Sequence, residues 1–271
     1  MPEFDRSTPV TVALRCPRGR VDITAEDRTT VLADVVALDG FDTSREAAAA
    51  ATVTLDGDTL VVHAGDESGR LWRRSASLAV SVRVPTGSSI AADTASADVR
   101  AAGRFSTVQV ATASGDVAVD DVTGDAALKA ASGDLSVGRV GGGLRISSSA
   151  GDLEVGDVTG DVSADTASGD IGIRSAGGSV GAKSASGDIT IGVVSRGEAR
   201  VRSASGDVTV GVAAGTGVWL DVNTVSGSTR NELTMGAGDT PATGATLQLR
   251  VTTVSGDVAI RRVSAASPAA A

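Results

Sequence analysis

A short corner motif recurs along this chain at a fixed interval, and that periodicity constrains the fold more than any other feature. TASADVRA begins at Thr94, TASGDVAV at Thr112, AASGDLSV at Ala130, SSAGDLEV at Ser148, TASGDIGI at Thr166 and SASGDITI at Ser184, with the same 18-residue step between successive starts. SASGDVTV at Ser203, TVSGSTRN at Thr224 and TVSGDVAI at Thr253 follow at looser spacing. A constant period over such a length specifies a repeat architecture, in which each unit buries its apolar face only against its neighbours.

Within the 18-residue unit the apolar residues hold fixed offsets. Leu135, Val137, Val140, Leu144 and Ile146 are followed by Leu153, Val155, Val158, Val162 and Ala164, then by Ile171, Ile173, Ala176, Val180 and Ala182. Apolar pairs two residues apart mark a strand with one buried face. Second turn signals lie midway, at Thr123-Gly124-Asp125, Gly141-Gly142-Gly143, Thr159-Gly160-Asp161 and Gly177-Gly178. Two short strands and two tight corners in each repeat describe one coil of an all-β, single-stranded parallel β-solenoid (β-helix). Coils stacked at about 4.8 Å would make a rod roughly 35 Å tall from some seven turns. A corner copied in every coil is what in-register stacking requires, since each coil must bend at the same place. An antiparallel sandwich of hairpins is the alternative, but its irregular loops would break the period.

The array has less regular flanks. Residues 1–92 carry no clear period but read as strands in VTVALRC, GRVDITA, ATVTLDGDTLVVHAG and SLAVSVRVP, and are expected to form an N-terminal β cap. Residues 93–213 form the regular solenoid, with an extra residue entering near Arg196 to Arg202. Residues 214–271 are expected to form less regular coils and a cap, with an exposed loop near 236–246. Caps are needed because an open coil edge invites edge-to-edge aggregation.

Composition narrows the function classes. The chain of 271 residues is 41% hydrophobic but only 2% aromatic, with no Tyr, so its core must be built from Val, Ile, Leu and Ala. A net charge of −9 opposes non-specific binding to nucleic acid or anionic lipid. No stretch approaches the roughly 18 apolar residues of a membrane span. The first residues, MPEFDRSTPVTVALRC, lack the basic and apolar regions of a secretory signal. The sole cysteine, Cys16, can form no intrachain disulfide and fits a reducing compartment. These features lead to the expectation of a cytoplasmic protein.

The (S/T)-A-S-G-D-(V/I/L)-x-(V/I) repeat, the N-terminal β block, and GVWLDVNTVSGSTRNEL followed by TVSGDVAIRRV resemble the bacterial "putative adhesin" or toast-rack family, a β-strand-repeat domain of unknown function. The resemblance spans nearly the whole chain, and in lacking a signal peptide the chain is similar to actinobacterial cytosolic members. It implies a β-solenoid associated with envelope-stress systems of the phage-shock type. The family has no established catalytic or ligand residues, so none is carried over.

The sharpest chemical feature is an acidic row, Asp98, Asp116, Asp134, Asp152, Asp170, Asp188, Asp207 and Asp257, which a solenoid would align on one edge. Carboxylates about 5 Å apart repel by about 0.8 kcal/mol in water. Such a row offers oxygen ligands to Ca²⁺ or a surface for a basic partner. Equally, each Asp can accept turn N–H groups and stay solvated. The calcium repeat G-G-x-G-x-D-x-U-x separates Gly from Asp by one residue, whereas here they are adjacent. The small residues before each Gly-Asp invite comparison with the Thr faces of ice-binding solenoids, although Ala and Ser often stand in for Thr.

Catalysis has few groups available. His63 is the sole histidine and lies in the strand-like LVVHAG rather than a nucleophile motif. Paired carboxylates could run glycoside hydrolysis, but only Trp72, Trp219, Phe4, Phe41 and Phe105 could form a sugar platform. Trp72, with Arg73 and Arg74 beside it, and Trp219 read as cap packing or as partner anchors. Cys16 reads as a buried apolar residue, or as a redox sensor if exposed. No His/Cys cluster or phosphate loop is present, so no cofactor is expected. The sequence therefore predicts a non-enzymatic interaction scaffold with protein partners, linked to envelope stress or adhesin-like roles, and leaves homo-oligomerisation open. The competing readings are a cation-binding solenoid using the Asp row and a carboxylate glycoside hydrolase.

Overall fold

The computed structural model describes residues 2–64, 76–233 and 246–263. The chain is an all-β parallel solenoid with two short strands per coil, and it divides into two compact units, Met1–Arg139 and Val140–Ala271. In the first unit, strand Ser89–Phe105 bends through a whole coil. Strands Val108–Ser114 and Val117–Val122 lie parallel upon it, and Ala126–Ser132 follows. Register advances by one sequence repeat per coil: Ile90 lies against Val108, and Val108 against Ala126. Alternation of Val, Leu and Ala places every second side chain inward, and Val99, Val117 and Leu135 are all at most 1% exposed.

The N-terminal block extends this stack. Strand Thr11–Glu26 pairs parallel with Ser89–Phe105 over Thr11↔Ser89 to Ala25↔Gly103, and so forms a coil in its own right. Its other side carries Thr59–His63 and Leu78–Pro85. The edge is then closed by antiparallel strands: Thr52–Asp56 on Thr59–His63, Thr30–Ala37 on Leu78–Pro85, and Glu3–Asp5 on Thr30–Ala37. Short antiparallel edge strands are a common way to blunt a sheet end. One element departs from the all-strand expectation, the helix Asp42–Ala50. Its alanine run favours helix, and it buries Ser44 and Ala47, with Ser44 Oγ accepting the Ser77 N–H at 3.1 Å.

In the second unit Leu144–Ala150, Val162–Ser168, Val180–Ser186 and Gly197–Ser205 form one parallel ladder. Leu153–Val158, Ile171–Ala176, Ile189–Val194 and Val208–Ala213 form the other. The inserted residue is absorbed near Arg196: Val180 pairs with Ala199, one position beyond the regular step, and a bulge follows Ile191. Beyond this point the coils do not stack in chain order. The last coil, Thr246–Ser255 with Val258–Val263, lies between Gly197–Ala213 and the earlier Gly217–Asn231.

Composition accounts for that exchange. Leu247, Leu249, Val251, Val258 and Ile260 supply a full inward set, each at most 1% exposed, and need neighbours on both sides. The coil Gly217–Asn231 is weaker, with Val218, Leu220 and Val222 only half-buried. It places Thr229 opposite Val258 and Asn231 opposite Ile260. Polar groups at inward positions without hydrogen-bond partners cost least where one side is open to water, so this coil takes the outermost place.

Candidate functional site

The repeated corner is built around glycine. Gly187 has φ +134°, and a Cβ there would lie 2.1 Å from the carbonyl oxygen of Gly169 in the preceding coil. Only glycine permits that approach. The following Asp turns its carboxylate along the stack. Asp98 Oδ1 accepts the Asp116 N–H at 3.1 Å, and Asp116 Oδ1 accepts that of Asp134 at 3.0 Å. In the second unit Asp152 accepts from Asp170, Asp170 from Asp188, and Asp188 from Asp207, at 2.7 to 2.8 Å. Asp207 then accepts from Asp257, and Asp257 from Ser228, both at 2.8 Å. These bonds follow the exchanged coil order. Within each unit the row is thus a hydrogen-bonded ladder, in which these carboxylates tie neighbouring coils together and the amide dipoles offset repulsion along the column.

In each unit the corner at one end of the run differs from the others. In the coil Thr11–Glu26 the corner position opposite Asp98 is held by Arg20, which ion-pairs with Asp22 at 2.8 Å. At the far end of the second unit's row, the N–H and hydroxyl of Ser228 hold the Asp257 carboxyl below its ordinary value of 3.8, with Arg230 adding to them and slight desolvation opposing. Sequence reasoning missed Arg20 and Ser228 as members of the row. The signal existed in Gly19-Arg20-Val21-Asp22-Ile23, which matches Gly-Asp-Val-x-Val with Arg in the Asp place.

A second column lies just inside the corner. Thr112, Ser148, Thr166, Ser184, Ser203 and Thr253 are buried, so this hydroxyl row faces the interior and presents no flat Thr surface. Several donate to the carbonyl two residues on, as Ser148 does to Ala150 at 3.1 Å and Thr253 to Ser255 at 3.3 Å. Cys16 occupies the same position opposite Thr94, and its thiol donates to the Arg18 carbonyl at 3.6 Å. Its burial pushes the thiol pKa up. The cysteine is therefore a member of the buried polar column.

An open groove of about 350 Å³ in the first unit is lined by Arg20, Asp98, Arg100, Asp116, Asp134 and neighbouring Val, Ala and Ser residues, with no aromatic side chain. Outer sheet faces carry ion pairs between coils, such as Asp121 with Arg104 and Arg139, Asp157 with Arg174, and Asp165 with Lys183. Among the described residues no group of three or more His, Cys, Asp or Glu is placed to hold a metal ion, and no helix is long and apolar enough to cross a membrane.

The remaining candidates are scattered. His63 lies on an outer strand position opposite Arg15 and Thr52. Phe105 is fully buried, Phe41 is 54% exposed, and Trp219 is 50% exposed on the outermost coil. The Arg250 guanidinium stands 5.8 Å over the Trp219 ring, and its Nε donates to Asp221 at 3.0 Å. Trp72, Arg73 and Arg74 lie outside the described residues, as does nearly all of the loop expected near 236–246.

The fold is similar to that of a "putative adhesin" from Bacteroides fragilis NCTC 9343, at 14% identity and TM-score 0.49, covering 97% of this chain and 95% of that one. A "putative adhesin" from Parabacteroides distasonis ATCC 8503 is similar at 10% identity and TM-score 0.44, covering 95% of each chain. A "putative lipid binding protein" from the same strain gives 13% identity and TM-score 0.43, covering 97% of this chain and 95% of that one. No curated protein matches the chain. The family model Toastrack DUF4097 matches residues 20–218, well over half of the sequence, and the chain belongs to that family.

Proposed function

We propose that this protein is a non-enzymatic interaction scaffold that works in the cytoplasm, binds protein partners through its stacked polar faces, and serves the cell-envelope stress response. The observation that carries the reading is the state of the acidic row. Within the two units the carboxylates of Asp98, Asp116, Asp152, Asp170, Asp188, Asp207 and Asp257 each accept an amide of the neighbouring coil, so the most conspicuous polar feature acts in building the stack. What is left for recognition is the outer surface, where charges alternate in sign between coils, as in Asp165 with Lys183. Alternating charge suits specific docking of a complementary surface better than binding of a polyanion.

The test is affinity capture of the tagged protein from soluble and membrane fractions of its native cells, with and without chelator, followed by mass spectrometry. A stoichiometric partner from an envelope-stress pathway that survives chelation supports the reading. Capture that collapses with chelator would instead make the Asp row a cation site. Absence of any partner in both fractions would overturn the scaffold.

A further inference from the structure

An edge of the sheets in the first unit and an edge in the second are treated differently. In the first unit the end is closed by short antiparallel strands. In the second, the ten-residue strand Gly217–Ser226 carries Thr246–Ser255 on one side and, among the described residues, no strand on the other. The strand itself carries few of the usual protections of an edge: it contains no Pro or Lys, its ladder shows no bulge, and its single charge is Asp221. Two of its outward side chains are large, apolar and exposed, Trp219 at 50% and Val225 at 79%. At the position of Val225 the regular coils carry small residues, Ala113, Ala131, Ser149, Ala167 and Ala185.

We infer that Gly217–Ser226 pairs antiparallel with the same strand of a second copy of this chain, about a two-fold axis through Val222. In a two-fold antiparallel pair the residue numbers of partners sum to a constant. With the axis at Val222 each Trp219 lies across from Val225 of the other copy, and each Asp221 from Asn223. Both exposed apolar residues are covered by each other, and the carboxylates are kept apart. An axis at Asp221 would oppose the two carboxylates directly and leave Trp219 against Asn223. An axis at Asn223 would set Asp221 against Val225. Self-complementarity therefore selects one register. The Arg250 contacts to Trp219 and Asp221 fix these side chains in advance, which lowers the ordering cost of association. The inference stands on this edge alone and does not depend on the scaffold reading.

Sedimentation equilibrium of the full chain from micromolar to high micromolar concentration tests it, with Asn223→Lys and Asn223→Asp as paired variants. The expected result is a monomer–dimer equilibrium that Asn223→Lys tightens about tenfold and Asn223→Asp weakens about tenfold, because each change acts twice across the axis opposite Asp221. As a second measurement, Val222→Cys should form a disulfide dimer on mild oxidation, since directly paired Cα atoms lie about 4.5–5.5 Å apart. Val225→Cys, although far more exposed, should not, its two copies being roughly 20 Å apart. A monomer throughout, a dimer on which the two Asn223 variants act in the same direction or not at all, or faster crosslinking at position 225 than at 222 would overturn the proposal.

Discussion

At each corner one carboxylate carries both a charge and a hydrogen bond to the next coil, and substitution separates the two. Asp170→Asn keeps an oxygen to accept the Asp188 N–H while removing charge from between Asp152 and Asp188. Urea unfolding should find it within about 0.5 kcal/mol of wild type, or more stable, whereas Asp170→Ala should cost about 1 kcal/mol. Asp257 adds a pH dependence. Its folded pKa lies below the unfolded value, so its contribution is complete above the ordinary aspartate range and disappears as pH falls through the folded pKa. Stability measured between about pH 5 and pH 2 should therefore fall less steeply in Asp257→Asn than in wild type. Cys16, with its thiol pKa raised by burial, should resist thiol reagents at neutral pH until the protein unfolds. The inward Val, Leu and Ile were legible because alternation is a local property, and so was the Asp row. Arg20 was not, because the interval from its corner to the one at Asp98 is no whole number of repeats.

Strands and corners place opposite demands on glycine. Gly187→Ala meets a positive φ and the Gly169 carbonyl, and should lose about 2–4 kcal/mol in equilibrium unfolding. In Gly181→Ala, within Val180–Ser186, the nearest atom to the new Cβ is the Val162 carbonyl oxygen at 3.9 Å. That substitution should be neutral or stabilising by up to about 1 kcal/mol. The two-strand coil was readable because its corners and apolar pairs recur. The helix Asp42–Ala50 carried its own signal in an alanine run but interrupts a block that otherwise alternates as strand. The coil Thr11–Glu26 was hidden differently: its partner Ser89–Phe105 follows two further coil strands, a helix and closing antiparallel strands, and the repeat carries no information across that interval.

For the molecule as a whole, the order of coils has measurable consequences. Val222 and Val251 pair in one inward column, but Val251 lies between two coils and is fully buried, whereas Val222 lies on the outermost coil and is half-buried. Val251→Asp should cost more than about 3 kcal/mol, and Val222→Asp about 1 kcal/mol or less. Stacking in chain order would bury Val222 between two coils and leave Val251 at the end, reversing the two results, so a pair of denaturation curves decides the topology. Coil length, inward columns and the aligned row of Asp corners followed from the 18-residue period alone, because parallel stacking in register demands like residues at like positions. Which coil lies beside which is not written in that period. Any two coils with the same corner can pair, and the final order depends on which of them can leave an inward face open to water. Leu247, Leu249 and Ile260 cannot do so without exposing core residues, whereas Thr229 and Asn231 can. That choice is made only when the coils compete for neighbours in three dimensions.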